Sequence, residues 1–330
     1  MQRRDFLGVV AGIVVAGPRA VHSQQTDPMR RIGVLMGYAD GDREGLAFVG
    51  AFREGLQKLG WLEGRNIRID DRWGSGSAEP TEQFAKELVA LKPDAILSHS
   101  TVTTAAILKQ TRTIPVIFAN VSDPIGSGFV TSFSHPGGNA TGFVNMQGSI
   151  AGKWLELLKE AAPRVRRVAL LFNPVTAPYF DYYLNALKAK APSFVVEAVA
   201  MPVHAASELE DVVAAHAREP NGGLIVMTDN FTTAHRVEIT SLASQYRLPT
   251  IYPYRFFVDL GGLLSYGSDT PDNFRRAAAY VDRLLRGAAP SELPVQAPVK
   301  FELIINLKTA KALDLEVSTQ LQQLANEVIE

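Results

Sequence analysis

The sequence predicts an α/β protein built from two parallel-sheet units that are joined by a hinge. Short apolar runs alternate with segments of helical apolar spacing, and the alternation occurs twice along the chain. This rhythm is typical of parallel sheets covered by helices. A glycine-rich stretch, 134–142, separates the two sets, and further elements follow the second set. The chain is therefore expected to cross back between two Rossmann-like lobes with a cleft between them.

The first unit begins with an apolar run, 31–36, which is typical of a buried parallel strand. Segment 46–59 carries apolar residues on one helical face, and Gly60 predicts its end. The predicted strands of this unit are 31–36, 65–71, 94–98 and 115–119, and the predicted helices are 46–59, 81–91 and 102–110.

The second unit repeats the same order of elements. Its predicted strands are 165–173, 194–200, 222–228 and 249–252, and its predicted helices are 179–190, 207–217 and 236–246. The tail adds predicted strands at 262–267 and 298–306 and predicted helices at 273–286 and 308–313.

The amino terminus has the pattern of an export signal. Arg3 and Arg4 precede a short apolar run, 6–16, and small residues follow it, which predicts a signal peptide over 1–23. The run is too short for a membrane span, which needs about 20 apolar residues. The R-R-D-F-L start resembles a twin-arginine signal, although the general export route and a buried amino-terminal helix remain alternatives. The expected location is the periplasm.

Composition excludes several classes of site. The 330 residues include no cysteine, which excludes disulfides, thiolate metal ligands and a lipid-modified cysteine. The formal net charge of −1 gives no reason to expect nucleic acid as a partner. The six histidines show no metal-binding spacing, and neither a G-x-S-x-G elbow nor a phosphate-binding lysine loop is present. We therefore predict no metal, no cofactor and no enzymatic activity.

Polar and aromatic residues follow the predicted strands, where open parallel sheets bind their ligands. The candidate ligand-binding residues are Tyr38, Ser98, Ser100, Thr101, Asn120, Ser122, Asp123, Asn173, Asp229, Asn230, Tyr252 and Tyr254. Hydroxyls and free N–H groups at a helix start can bind a carboxylate, and an aspartate can pair with an ammonium group. Tyrosine rings can pack against the side chain of a ligand or accept a cation on a ring face. Together they predict a site for a small zwitterion.

Each candidate also has a purely structural interpretation. Ser100 and Thr101 are suited to capping the helix that follows them, and Asp123 precedes a proline, as turn residues do. The pair Asp229–Asn230 suits a cap or a turn, and the tyrosines suit the core or its rim. His99 lies at the predicted cleft edge, where a structural role is favoured over a hydrogen bond to ligand.

Several segments resemble one known family, the ABC-transporter substrate-binding proteins of the tryptophan- and tyrosine-binding group. The segments that carry the resemblance are F-R-E-G-L-Q-K-L-G-W-L-E-G-R-N-I at 52–67, I-P-V-I-F-A-N-V-S-D-P-I-G-S-G-F-V at 114–130, P-G-G-N-A-T-G-F at 136–143, G-G-L-L-S-Y-G-S-D at 261–269 and K-F-E-L-I-I-N-L-K-T-A-K-A-L at 300–313. Two departures affect the tail: 317–323 lacks the family's proline-containing turn, and Asp314 replaces a glycine.

The resemblance implies a type I periplasmic-binding fold with three hinge crossings. The implied lobes are 29–145 plus 269–295 and 146–268 plus 296–330. Family members bind amino acids, often aromatic, which implies a carboxylate site at Ser100, Thr101, Asn120 and Ser122 and an ammonium site at Asp229. A monomer that delivers an amino acid, aromatic or branched, to an ABC permease is the expected function. A ligand sensor and a hydrolase on the same fold remain alternatives.

Overall fold

Two sheets with flanking helices organise the chain. The computed structural model describes residues 29–75 and 78–330, so the predicted signal peptide, 1–23, lies outside the described residues. Within these ranges, no helix combines the length and the apolar character needed to cross a membrane.

The first lobe contains a five-stranded parallel sheet in the order β2-β1-β3-β4-β5. Its strands are β1 (Arg30–Met36), β2 (Ile67–Trp73), β3 (Ala95–Ser98), β4 (Val116–Val121) and β5 (Ala140–Val144), and its helices are α1 (Arg43–Lys58), α2 (Ala78–Ala90) and α3 (Thr101–Gln110). The prediction of a loop over 134–142 is wrong at its end, because residues from Ala140 onward pair with β4.

The second lobe contains a seven-stranded sheet in the order β12-β11-β10-β9-β8-β6-β7, in which only the β10–β11 pair is antiparallel among the pairs described. Its strands are β6 (Arg167–Phe172), β7 (Glu197–Pro202), β8 (Gly222–Val226), β9 (Thr250–Tyr252), β10 (Leu264–Ser268), β11 (Phe301–Asn306) and β12 (Glu327–Ile329). Its helices are α4 (Ile150–Ala161), α5 (Phe180–Lys190), α6 (Leu209–Ala217), α7 (Asn230–Ala234), α8 (Arg236–Gln245), α9 (Arg255–Asp259), α11 (Leu307–Ala312) and α12 (Thr319–Leu324).

The chain passes between the lobes at three points. It leaves the first sheet after β5 and enters α4, and it returns after β10 into helix α10 (Thr270–Leu285), which packs against α1. After α10 it runs along the first lobe, where Gln296 pairs with Phe143, and then enters β11 of the second sheet. The returning tail predicted from the sequence is therefore present.

Several element boundaries differ from the prediction. The segment predicted as strand 194–200 begins with the end of a 3-10 turn, Ala191–Phe194, and Val195 is left-handed with φ 53, so the strand starts at Glu197. Helix α4 was not predicted, although its buried face includes Trp154 and Leu158. Asp314, in the place of a family glycine, adopts φ 56, so the left-handed helix end is kept without glycine.

The apolar core is divided between the lobes. One cluster of buried residues lies between α1, α10 and the first sheet, and a second lies between α2, α3 and the opposite face of that sheet. A third cluster fills the second lobe and includes Trp154, Tyr183 and Phe257. Each lobe thus has its own core, which is the organisation that a hinged pair of lobes requires.

Gly267 in β10 is expected to tolerate no larger residue. A Cβ atom at this position would lie 1.8 Å from the carbonyl oxygen of Pro253, so backbone would have to move. Gly267→Ala should lower the free energy of unfolding by about 2 kcal/mol, as overpacked core positions do. Urea unfolding of the variant measures this effect. Gly138→Ala is the matched control, because nothing lies within 4 Å of its added Cβ, and equal stability of the two variants would contradict the expectation.

Candidate functional site

Polar side chains that follow strands of the two sheets meet directly between the lobes. Asn230, which follows β8, donates a hydrogen bond from Nδ2 to Ser100 Oγ over 3.0 Å, and Ser100 follows β3. Asn120 in β4 donates from Nδ2 to Tyr254 Oη over 3.2 Å, and Tyr254 follows β9. The interlobe cluster consists of Ser100, Asn120, Asn145, Thr228, Asn230 and Tyr254.

Tyr254 is the central member of the interlobe cluster. Its Oη also accepts a hydrogen bond from Asn145 Nδ2 over 2.8 Å and lies 2.7 Å from Thr228 Oγ1. Asn145 donates to the same Thr228 oxygen. Burial raises the pKa of the Tyr254 phenol, so the hydroxyl stays neutral and can both donate and accept. One phenol therefore links groups from both lobes.

Helix α3 begins at the cluster. Ser100 is its N-cap residue and forms a reciprocal capping box with Thr103, whose Oγ1 accepts from the Ser100 backbone N–H over 2.8 Å. The first N–H groups of a helix have no partner within the helix, and the helix dipole makes this end positive. The start of α3 therefore presents donors to the cleft, which suits a carboxylate.

A second interlobe contact joins Ser122 to the second lobe. Tyr183 Oη donates to the Met146 carbonyl over 3.0 Å, so the 2.9 Å contact with Ser122 is a hydrogen bond that Ser122 Oγ donates. Thr101 holds the Ser122 backbone, because its Oγ1 accepts from the Ser122 N–H over 3.0 Å and donates to the Ser122 carbonyl over 3.1 Å. These bonds place the ends of β3 and β4 side by side.

An ion pair also joins the two lobes. Arg236 at the start of α8 contacts Asp42 Oδ2 over 2.7 Å, and Asp42 is the N-cap residue of α1 in the first lobe. Both side chains are largely buried, and the Arg236 guanidinium also lies over the Phe256 ring, 5.6 Å from its centroid. The lobes are thus in direct contact through this ion pair as well as through the cluster.

Buried polar atoms without partners lie at the same interface. Within residues 29–75 and 78–330, no hydrogen bond reaches either ring nitrogen of His99 or the Oδ1 atom of Asn120. The His99 ring is buried beside Tyr38, with centroids 4.9 Å apart, and burial lowers its pKa to about 3. The ring is therefore neutral at pH 7 and offers one donor and one acceptor. Such atoms cost stability unless a ligand or water satisfies them.

A cavity of about 230 Å³ adjoins the interlobe cluster beside the β10–α10 crossing, and we call it the hinge cavity. Tyr254 and Ser268 belong to its wall, and Ser268 Oγ lies 3.4 Å from Asn145 Oδ1 of the cluster. Glu44 and Phe48 from α1 form the opposite wall. The cavity therefore has walls from both lobes.

Comparison with known families decides the assignment. The family model described as ABC transporter substrate binding protein matches residues 42–329, which is most of the chain. The chain belongs to this family. The matched range includes the first lobe from α1 onward, the strands of the second lobe and every member of the interlobe cluster.

Individual relatives agree with the substrate-binding assignment. A tyrosine-binding protein of Clostridioides difficile is 27% identical over 265 residues, covering 80% of this chain and 76% of the relative. An ABC domain of Streptococcus pneumoniae in complex with L-Trp has a TM-score of 0.83 at 24% identity, covering 91% of this chain and 100% of that one. The ligand-free, open structure of a substrate-binding protein with adhesive properties from Clostridium difficile has a TM-score of 0.67 at 24% identity, covering 91% of this chain and 99% of that one.

Other candidate residues of the substrate-binding protein serve the scaffold. Ser98 Oγ lies 2.6 Å from Thr104 Oγ1 inside the first lobe, and Asp123 Oδ1 accepts from the Gly126 N–H, as in a turn. Asn173 Oδ1 accepts from the Val175 N–H over 2.8 Å, and the buried Tyr252 ring stacks on Phe257. The structural interpretation is favoured for each of these positions.

Asp229 is buried and already hydrogen-bonded. Its carboxylate accepts from the Asn173 N–H over 2.8 Å, from Thr176 Oγ1 over 2.5 Å and from the Phe231 N–H over 3.0 Å, and it caps α7. Burial raises its pKa to about 6 despite these bonds. The contacts favour the capping interpretation over the ammonium site that the resemblance implies.

Sequence reasoning missed Asn145, Thr228 and Tyr183 as site candidates. Asn145 directly follows β5, so the rule that ligands bind beyond strand ends would have found it if β5 had been predicted. Thr228 directly precedes the predicted pair Asp229–Asn230. Tyr183 lies within α5, and no local pattern marks it because its contact with Ser122 depends on how the lobes meet.

Proposed function

We propose that this protein is the periplasmic substrate-binding component of an ABC importer and captures an amino acid with an aromatic or branched side chain between its lobes. The observation that carries the proposal is the group of unpartnered buried atoms at the interlobe surface, His99 Nδ1 and Nε2 and Asn120 Oδ1. An unsatisfied buried polar group costs about 1–3 kcal/mol, and a ligand that supplies partners would recover this free energy on binding.

The chemistry of the cleft and the relatives of this chain both support the proposed ligand class. The start of α3 and the Asn230 amide offer donors for a carboxylate, and the rings of Tyr38, Phe48 and Tyr254 offer apolar surface. A tyrosine-binding protein and an ABC domain in complex with L-Trp are among the relatives. A free amino acid with a large side chain combines these groups.

The direct contacts between the lobes support a mechanism of closure. The TM-score is higher against the L-Trp complex, 0.83, than against the ligand-free open structure, 0.67, which supports a closed arrangement of this chain. We infer that the lobes comprise 29–145 with 269–295 and 146–268 with 296–330. Ligand favours the closed state through contacts that exist only there, and the closed monomer then docks on a membrane permease.

Export is part of the proposal. The predicted signal over 1–23 would direct the chain to the periplasm, and the absence of cysteine from the sequence leaves no site for a lipid-modified cysteine. A protein in this compartment can collect substrate for a permease in the cytoplasmic membrane.

Calorimetric titration tests the ligand class. The protein is purified from the periplasm, unfolded in urea and refolded to remove bound ligand, and titrated with L-tyrosine, L-tryptophan, L-phenylalanine, L-leucine and D-ribose. We expect micromolar or tighter binding, about −8 kcal/mol or better, for at least one amino acid and none for the sugar. Binding of the sugar alone, or of no amino acid, would overturn the proposed ligand class.

A further inference from the structure

The hinge cavity carries an excess of negative charge. Four carboxylates line it, from Glu44, Asp259, Asp269 and Glu302, against the one guanidinium of Arg255. That guanidinium is already held by Glu327, whose carboxylate accepts from it over 2.6 and 2.9 Å. The same guanidinium lies 3.6 Å from Asp259. Among the side chains that line the cavity, carboxylates still outnumber cations, and this excess favours a cationic ligand.

Glu44 is the carboxylate best placed to pair with such a ligand. In the part of the chain that the structure describes, no Lys, Arg or His side chain forms an ion pair with it, although Arg43 and Arg236 are close enough to lower its pKa and so partly oppose the effect of burial. The side chain is half-buried, and this burial raises the pKa of Glu44 above its ordinary value. A cation beside the carboxylate would offset the cost of burying its charge.

The remaining walls suit an organic cation rather than a metal ion. Phe48, Tyr254 and Phe256 line the cavity with aromatic rings, and all three are buried. Aromatic faces attract ammonium groups and pack against apolar carbon. Hard metal ions instead prefer a shell of oxygen ligands.

An unpartnered hydroxyl supplies an independent indication of a ligand. Thr270 lines the cavity and is 3% exposed, and its Oγ1 has no hydrogen-bond partner among the residues described. Thr270 is the first residue of α10, just past the crossing between the lobes. Since a threonine oxygen accepts as well as donates, it can serve an ammonium N–H.

We propose that the hinge cavity receives the protonated amine of the ligand and that Glu44 is its counter-ion. This inference rests on the proposed function and deepens it, because it requires a ligand that carries an amine. Tyr254 and Ser268 belong both to the cavity wall and to contacts of the interlobe cluster, so the cavity borders the cluster directly. Asp229 does not compete for this role, since its oxygens already accept three hydrogen bonds.

The test measures the contribution of the amine to binding separately from that of the carboxylate. Calorimetry is carried out with L-tyrosine, with tyramine, which lacks the carboxylate, and with 3-(4-hydroxyphenyl)propionate, which lacks the amine. The unaltered protein should bind tyrosine at least tenfold more tightly than the propionate. Glu44→Gln should weaken tyrosine and tyramine binding about tenfold and leave propionate binding unchanged. Glu160→Gln, which does not line the cavity, should change none of the three affinities.

Thr270→Val provides a variant that is expected to fold. Valine has nearly the same shape, and the hydroxyl that it removes makes no hydrogen bond within the described protein. The variant should keep or raise the urea midpoint and weaken tyrosine binding several-fold.

Two outcomes would overturn the inference. Tyrosine binding with the same amine preference in Glu44→Gln as in the unaltered protein would remove the inference and leave the proposed function standing. Failure of all three compounds to bind would remove the inference, and the amino-acid panel then decides the proposed function separately.

Discussion

Acidification from about pH 7 to about pH 4.5 should reduce the free energy of unfolding by about 3 kcal/mol through His99 alone. The ring is 4% exposed and lies among Tyr38, Phe48 and Phe274, and burial lowers its pKa from 6.5 to about 3. The negative charge of Asp42 raises the pKa of His99, but this effect is smaller than that of burial. The folded chain therefore keeps the ring neutral through the whole interval.

The sign follows from proton binding in the two states. Below about pH 6.5 the unfolded chain protonates His99 and the folded chain does not, so each further pH unit favours unfolding by about 1.4 kcal/mol. The loss continues until the pH approaches the folded pKa of about 3. Asp229 works the other way, since its raised pKa of about 6 adds stability as the pH falls from about 6 towards 3.8. A comparison of variants is needed to separate the two groups.

His99→Leu isolates the histidine, because leucine has a similar volume and no titratable group. Urea unfolding of both proteins at about pH 7 and pH 4.5 should show that the unaltered protein loses about 3 kcal/mol more than the variant. His135→Leu is the control, because the His135 side chain is exposed. This variant should lose as much stability between about pH 7 and about pH 4.5 as the unaltered protein does. Identical pH profiles for His99→Leu and the unaltered protein would show that the ring is hydrated in solution, contrary to its buried position.

Local sequence patterns predict most of the fold because each lobe repeats one simple unit. Apolar runs such as 31–36 and 222–228 correspond to β1 and β8, which are buried on both faces. The failures occur where a glycine-rich stretch joins a sheet. Residues from Ala140 onward form β5 because β4 offers a free edge, and Gly142 permits a close approach to Phe118 that a side chain would block.

The site is less predictable because it depends on how two lobes meet. The strand-end rule identifies Ser100, Asn120 and Tyr254, since parallel strands bring their carboxyl ends to one edge. It cannot identify Glu44, which lies on a helix and shares a cavity with Tyr254 only after the lobes are joined.

Gly37→Val should weaken amino-acid binding about 100-fold while both lobes stay folded. Gly37 follows β1, and a Cβ atom there would lie 2.6 Å from Nδ2 of Asn230, which belongs to the opposite lobe. The added side chain therefore obstructs the surface on which the lobes close. If closure becomes about 2.7 kcal/mol less favourable, the fraction of competent protein falls about 100-fold and the apparent affinity falls with it.

A graded series distinguishes obstruction of closure from damage to the first lobe. Gly37→Ala should weaken binding less than valine does. Asn230→Ala in the Gly37→Val background should restore part of the ligand-induced compaction, because it removes the obstructing amide, while the affinity stays low because the variant also lacks a proposed carboxylate donor. Small-angle scattering should show that Gly37→Val keeps a larger radius of gyration at a ligand concentration that compacts the unaltered protein. Gly138→Ala again serves as the control, since its Cβ meets nothing within 4 Å. Unchanged affinity in Gly37→Val would mean that the ligand-bound lobes do not meet through Gly37 and Asn230.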